Sequence, residues 1–428
     1  MFKLSMKMLK REYKNAIFYI VAMTIAIMMT FVFFSIIFNQ SLDTGEQVVG
    51  GSSWAQMSIP VADIVGFVVL AFCGYLIFYV NNYYILNKQD EIAIMTTSGA
   101  NMIQTTIYLC YQTALLFLIA LIPGVCLGIL IINKLFAYIA VSTSQPVQSI
   151  SMMSIASAVL LIFALLIMLI MMVIGYVHRT EVKDVFYAKE EMSVSGVMSK
   201  IKLPFIIFVV IFILSTLYIY FDQQGNLITT CILIDFLCIL AGVSGAIATS
   251  VANFKKMFMH KSRYATIALS NLSYMVLKSK LLMLFMMFST SILYYVTILY
   301  KDVFQEHFVC LVGYIIVLIL MATTIMYNNM IEAKKRQSLF VNMWKVGYTK
   351  KELHKICRKE VLYYYLILII FPVMLMLSLA TRSIALYNLS SVEAYGLIGL
   401  YVIVLFIVGI VNFMVYQSTI NESIVKEK

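Results

Sequence analysis

Residues Asn81–Ala100 read NNYYILNKQDEIAIMTTSGA, and residues Asn328–Tyr348 read NNMIEAKKRQSLFVNMWKVGY. Both begin with an Asn-Asn pair at the end of an apolar run. Both pass through a charged segment (Lys88, Asp90 and Glu91; Lys334, Lys335 and Arg336) and turn at a glycine, Gly99 or Gly347. A second apolar run follows. In each, a polar residue stands thirteen positions after the glycine, Gln112 and Glu360, and a proline twenty-four or twenty-five after it, Pro123 and Pro372. Five ordered features at one spacing, on a matching hydropathy pattern, read as an internal duplication.

The apolar runs around these stretches fix the class. Hydrophobic residues make up 62% of the 428, charged residues 12%, and the mean hydropathy is +0.95. So few charges cannot cover the surface of a soluble domain of this length. Runs long enough to cross a bilayer core of about 30 Å recur along the chain. They fall at about 16–38, 62–86, 108–133, 153–177, 203–221, 227–251, 281–300, 308–331, 361–381 and 395–417. The runs are continuous rather than alternating, which indicates helices and not barrel strands. The expectation is an all-α polytopic membrane protein of ten transmembrane helices. The first run follows Lys3, Lys7, Lys10, Arg11 and Lys14 but is too long for a signal peptide and has no evident cleavage site, so it reads as a retained span.

Charge orients these spans. With the N-terminus inside, 28 of the 31 Lys and Arg fall in cytoplasmic segments, and only Lys134, Lys301 and Arg382 lie outside. Both termini are then cytoplasmic. The net charge of +11 is accounted for by orientation and by attraction to anionic membrane lipid, with no reason to invoke nucleic acid. The seven cysteines are scattered without a CxxC pair, and the four histidines are dispersed, so neither a disulfide framework nor a metal site is expected.

Taken in order, residues 1–61 hold a basic segment that suits an amphipathic surface helix or a solvated tail, the first span and a Gly/Ser-rich outer loop. Residues 62–180 hold the first copy. Ile85, Ile92 and Met95 recur at helical spacing, with Lys88, Asp90 and Glu91 on other faces, which predicts a short amphipathic helix below the membrane. Gly99 suits its C-terminus, because glycine takes the left-handed conformation at no steric cost. Residues 181–251 are a linker and a two-span hairpin with no counterpart in the second half. Asp235 lies inside the second of those spans, where it reads either as a proton or substrate contact or as a neutral, hydrogen-bonded acid. Residues 252–307 carry a basic segment with Leu269, Asn271, Leu272 and Lys278, and a seventh span. Residues 308–428 hold the second copy, with nine Lys and Arg and an apolar set, Leu339, Phe340, Met343 and Trp344, between 331 and 359. The layout is four spans, two, and four.

Lys88 through Met95, followed by Gly99-Ala100, resembles the hallmark after the second helix of FtsX-like ABC permeases, where a charged, Glu-Ile-containing segment leads into a Gly-Ala turn. Arg336 through Tyr348 looks like a degenerate version, with Ser338-Leu339 in place of the Glu-Ile pair. Ten spans with two such modules are similar to the BceB-type permeases of Gram-positive bacteria. The large extracellular domain of that group is absent here, since only Lys301–Phe308 occupies its position. The resemblance implies a type VII (MacB-like) system in a bacterial cytoplasmic membrane, without catalytic residues of its own. Each cytoplasmic helix would dock on an ATPase subunit, in two copies, with ATP and Mg2+ on that partner. Lys88, Asp90, Glu91, Ile92, Met95, Gly99 and Ala100, with Arg336, Trp344, Gly347 and Tyr348, would be the coupling residues. No GxxxxGK[ST] phosphate-binding loop occurs in the sequence, which fits ATP chemistry on a separate chain.

The function expected is export or extraction of a peptide or lipid-like amphipathic molecule, with antimicrobial-peptide resistance as one such role. Two other classes stay open. An ion-coupled secondary transporter would need buried charges near mid-bilayer, and Asp235 is nearly alone inside the spans, with Gln112 and Glu360 the other intramembrane polar candidates. A non-transporting component would transmit a signal to a sensor kinase or an accessory membrane protein.

Overall fold

The computed structural model describes residues 13–38, 61–143, 152–179, 205–221, 228–241, 263–301, 304–387 and 390–427. Thirteen α-helices are found among them: α1 (Tyr13–Ile37), α2 (Val61–Asn87), α3 (Gln89–Thr97), α4 (Met102–Thr143), α5 (Met152–Arg179), α6 (Phe205–Phe221), α7 (Ile228–Ala241), α8 (Arg263–Lys278), α9 (Lys280–Leu299), α10 (Phe304–Lys335), α11 (Gln337–Lys345), α12 (Lys350–Tyr387) and α13 (Ser391–Glu427). Eight of these, α1, α2, α4, α5, α9, α10, α12 and α13, are long and apolar enough to cross a membrane. The protein is a multi-pass membrane protein. The hairpin spans expected at 203–221 and 227–251 correspond to the shorter apolar helices α6 and α7. The N-terminal surface segment, the outer loop before α2, the linker after α5 and the basic stretch from 252 to 262 lie outside the described residues.

Helices overrun the apolar windows that reveal them. The third expected span, 108–133, is the middle of α4, which has 42 residues, and the ninth, 361–381, is the middle of α12, which has 38. Hydropathy reports only the lipid-facing portion, whereas the hydrogen-bonded ladder continues into polar sequence until a cap or turn stops it. Both helices run continuously through their prolines, Pro123 and Pro372.

The chain divides into two compact units. The first comprises residues up to Met192 together with Tyr300–Asn328. At its centre α1 packs on α4, α2 and α5. Between apolar helices in lipid there is little hydrophobic drive, so close approach of backbones matters more. Gly124 and Gly128 of α4 supply it: a β-carbon on them would lie 2.8 Å from Ile27 and 2.7 Å from Phe31, one turn apart on α1. Thr30 of α1 shares a hydrogen bond with Cys73 of α2 at 3.0 Å. The second unit comprises Ser193–Leu299 and Asn329–Lys428. Here α12 is the hub, packing on α13, α8, α9 and α6. Two buried tyrosines of this unit donate to main-chain carbonyls, Tyr401 of α13 to Leu368 (2.9 Å) and Tyr294 of α9 to Ala394 (3.3 Å). Helix α10 is divided between the units at Asn328/Asn329.

Candidate functional site

The two junctions between long helices hold most of the residues singled out by sequence. At the first, α2 stops at Asn87, Lys88 leaves the helical path with φ −99° and ψ 2°, and α3 starts at Gln89. Nine residues later α3 ends in a Schellman-type turn. The N–H of Gly99 donates to the Thr96 carbonyl (3.1 Å) and that of Ala100 to Met95 (3.0 Å). Gly99 has φ +86°, the left-handed conformation expected of it. Helix α4 is then opened by a cap, the Asn101 N–H donating to Gln104 Oε1 at 3.1 Å and the Met102 N–H to Asn101 Oδ1 at 2.7 Å.

The second junction repeats this in detail. Arg336 leaves the helix at φ −92° and ψ 6°, and α11 also has nine residues. Gly347 N–H donates to Trp344 (2.9 Å) and Tyr348 N–H to Met343 (3.1 Å), with Gly347 at φ +106°. Helix α12 opens with the Thr349–Glu352 capping box, its two bonds at 2.9 and 3.4 Å. Lys88 with Arg336, Gly99 with Gly347, Asn101 with Thr349 and Gln112 with Glu360 all pair at one offset of 248 residues. That offset corrects one alignment. Glu91-Ile92 correspond to Leu339-Phe340, one position beyond the Ser338-Leu339 pair suggested by sequence, and the matched residues Ile92 and Phe340 are both buried.

The cation at the head of each short helix turns inward. Lys88 is 1% exposed and Arg336 3%, although the sequence reading set the charges on faces away from the apolar one. A charge near the interface reads as solvated, but a helix break this tight leaves the side chain beneath the next turn, where it must find a counter-ion. Lys88 Nζ pairs with Glu91 Oε1 at 2.8 Å, within its own turn of α3. Tyr108 OH donates to the other oxygen of Glu91 (2.9 Å), Gln112 Nε2 donates to Tyr108 OH (2.8 Å), and Tyr84 OH donates to Gln112 Oε1 (2.9 Å). The expected polar residue Gln112 is thus tied to the junction by a chain of neutral groups.

At the second junction Arg336 Nη1 pairs with Glu360 of α12. Asn271 of α8 donates to the other oxygen of Glu360 (3.0 Å), and Arg336 Nη2 donates to the Asn271 carbonyl (3.4 Å). The guanidinium also lies 5.5 Å from the ring centroid of Tyr274. Burial works against its charge, but Glu360, with Tyr416 and Glu332 adding to it, prevails, and Arg336 is held protonated above its ordinary range.

The remaining predicted residues separate by exposure. Ile94, not singled out from sequence, is 65% exposed on α3, and Ile103 at the start of α4 equally so. Met95 and Ala100 are half-buried and Gly99 is exposed; Asp90 lies in α3, its side chain outside the described residues. In the other copy Trp344 and Tyr348 are half-buried against a cluster of Phe340, Leu353, Cys357, Tyr416, Ile420 and Ile424. Gly347 and Val346 are exposed, Val346 by 80%. Asp235 is apart from both junctions in sequence and sits on α7, fully buried. Tyr84, Tyr108 and the role of Asn271 were missed. The spacing of Tyr108 four residues before Gln112 is a signal that could have revealed one of them. Among the described residues no cluster of three metal-ligating side chains forms.

Comparison with known families bears on the first junction. Residues 64–174 match the FtsX-like permease C-terminal family. The matched segment runs from α2 through α5 with α3 and its Gly99 turn inside it. Among curated proteins, none matches the chain significantly. The FtsX-like segment therefore covers one copy, and the second copy is related to it through the repeated junction geometry.

Proposed function

We propose that this chain is the permease subunit of an ABC transporter, with α3 and α11 as the two elements that receive a separate ATPase. The observation that carries the reading is the repetition of one junction, nine-residue helix, left-handed glycine and capped long helix, once within an FtsX-like segment and once at the same offset beyond it. A repeated receiving element suits two ATPase copies, which bring ATP and Mg2+. In this reading the chain has ten spans arranged four, two and four, with both junctions in the cytoplasm of a bacterial cell as the Lys and Arg distribution orients them. The complex is of type VII, and the work done is export or extraction of a peptide or lipid-like amphipathic molecule.

Burial refines which side chains meet the partner. Lys88, Glu91, Arg336 and Glu360 hold the junctions together from inside. Ile94, Ile103 and Val346 face outward and are the contacts we assign to the ATPase. The test is purification of the tagged chain from its native membrane in mild detergent, beside an Ile94→Glu, Ile103→Glu, Val346→Glu variant of equal abundance. An ATP-binding protein at about two copies per chain with the wild type, lost from the variant, is the expected result. A wild-type preparation without any ATPase overturns the proposal; an ATPase retained by the variant overturns the assignment of these contacts.

A further inference from the structure

Asp235 is the buried charge that the junctions leave unexplained. It lies on α7, which packs on α6 and α9 within the second unit. Its exposure is 0%, and neither carboxyl oxygen has a hydrogen-bond partner among the described residues. Both sequence readings, a proton or substrate contact and a neutral acid, stay open for a group at this depth.

Among the described residues of the helices packed around it, no charged group faces it. Helix α6 carries no Asp, Glu, Lys, Arg or His, and α7 carries none besides Asp235. The one charged residue of α9 is Lys280, at its first position, whereas the contact from α7 to α9 is made by Phe236 against Phe288, ring centroids 3.8 Å apart. Eight residues of helix separate Lys280 from Phe288, about 12 Å. Helix α12 reaches α6 through Phe371 against Phe212, eleven residues from both Glu360 and Arg382, about 16 Å along the axis. The polar groups close at hand are neutral. Ser215 of α6 directs its hydroxyl to the Cys231 carbonyl (3.2 Å), and Cys238 follows Asp235 by one turn. A carboxylate here would carry a desolvation cost that no ion pair among the described residues offsets.

We propose that Asp235 is a proton-binding site of the α6–α7 hairpin, occupied in the resting protein, so that the side chain is the neutral acid. Release of that proton creates a charge that the helix contacts cannot hold, and the hairpin must admit water or part from α9 for it to occur. We assign a proton rather than a larger cation, because a sodium ion needs several oxygen ligands and, among the described residues, the neighbouring Ser215 hydroxyl is already committed to the Cys231 carbonyl. The proposal is independent of the ABC reading.

The test is labelling of the full-length protein in its native membrane with dicyclohexylcarbodiimide at neutral pH. In this reaction a carboxylic acid gives its proton to a carbodiimide nitrogen and its oxygen bonds to the central carbon, and a dry site retains the rearranged acylurea. Mass spectrometry of the peptide carrying Asp235 is expected to show the adduct. The adduct should be absent from Asp235→Asn, absent when a water-soluble carbodiimide is used, and unchanged by added sodium. An unlabelled Asp235 in the wild type overturns the proposal. Protection by sodium also overturns it, by showing a cation site, and labelling by the water-soluble reagent does so by showing that the group is in contact with solvent.

Discussion

The two junctions share a backbone and differ in wiring. At the first, the buried cation is neutralised within its own short helix, Lys88 by Glu91, and the position thirteen residues after the glycine is a neutral Gln112. At the second, Leu339 stands where Glu91 would be, and the carboxylate has moved to the thirteenth position, Glu360, on a different helix. Helix α11 is packed on α13 as well, through Phe340 against Tyr416, whereas the main neighbours of α3 are the helices that flank it. An ion pair closed within one turn leaves its short helix joined to the neighbouring helices by the neutral hydrogen bonds of Tyr108 and Gln112. An ion pair closed between helices bolts it to the scaffold. The junction geometry is common to both copies, and the location of one carboxylate distinguishes them.

That difference is open to direct manipulation. Glu360→Ala leaves the Arg336 guanidinium buried without its principal partner and should cost about 3–5 kcal/mol. Glu91→Leu affects a pair whose carboxylate is 14% exposed and should cost less, about 1–3 kcal/mol. Detergent-solubilised thermal unfolding should rank them in that order. Rewiring sharpens the point: Lys88→Arg, Glu91→Leu and Gln112→Glu together give the first junction the second's arrangement and should recover most of the Glu91→Leu loss. If the triple variant is no more stable than Glu91→Leu, the copies are not interchangeable and the comparison fails.

A middle-sized effect is expected at the turns, and it should be equal in the two copies. Ala at Gly99 or Gly347 meets no neighbour within 4 Å, so the cost comes from the left-handed backbone alone, about 1–2 kcal/mol at each. Unequal losses, read by the same unfolding measurement, would mean that one turn relaxes. The smallest effect is at the caps, where Thr349→Ala removes the acceptor for Glu352 N–H and Asn101→Ala the acceptor for Met102 N–H, each at a cost of about 1 kcal/mol. Amide hydrogen exchange should show it as faster exchange confined to the first turn of α12 or α4.

Much of this was legible in the sequence because it depends on spacing. The glycines, the cations and the polar residues at the thirteenth position announce the duplication, and apolar runs announce the eight long helices. Burial was not legible. Lys88 and Arg336 look like solvated interface charges until the helix break places them under the following turn, and Trp344 looks like an interface anchor until α13 supplies a cluster to receive it. The tyrosines that complete the first network carry no charge pattern. Tyr84 and Tyr108 read as two more aromatics in a chain with 28 tyrosines. The off-by-one pairing of Ser338-Leu339 arose because the Glu-Ile signal itself is lost in that copy, and only the common turn restores the register.

Helix α4 has a mechanical consequence. Between Thr97 and Met102 the backbone is hydrogen-bonded at Ser98, Gly99 and Ala100, and the cap at Asn101 begins the next helix at once. There is no slack in this link. The exposed side of α3 is thereby joined directly to the end of a continuous helix of 42 residues, about 63 Å long and roughly twice the bilayer's hydrocarbon thickness. Helix α1 meets that helix at Gly124 and Gly128, near the middle of its length.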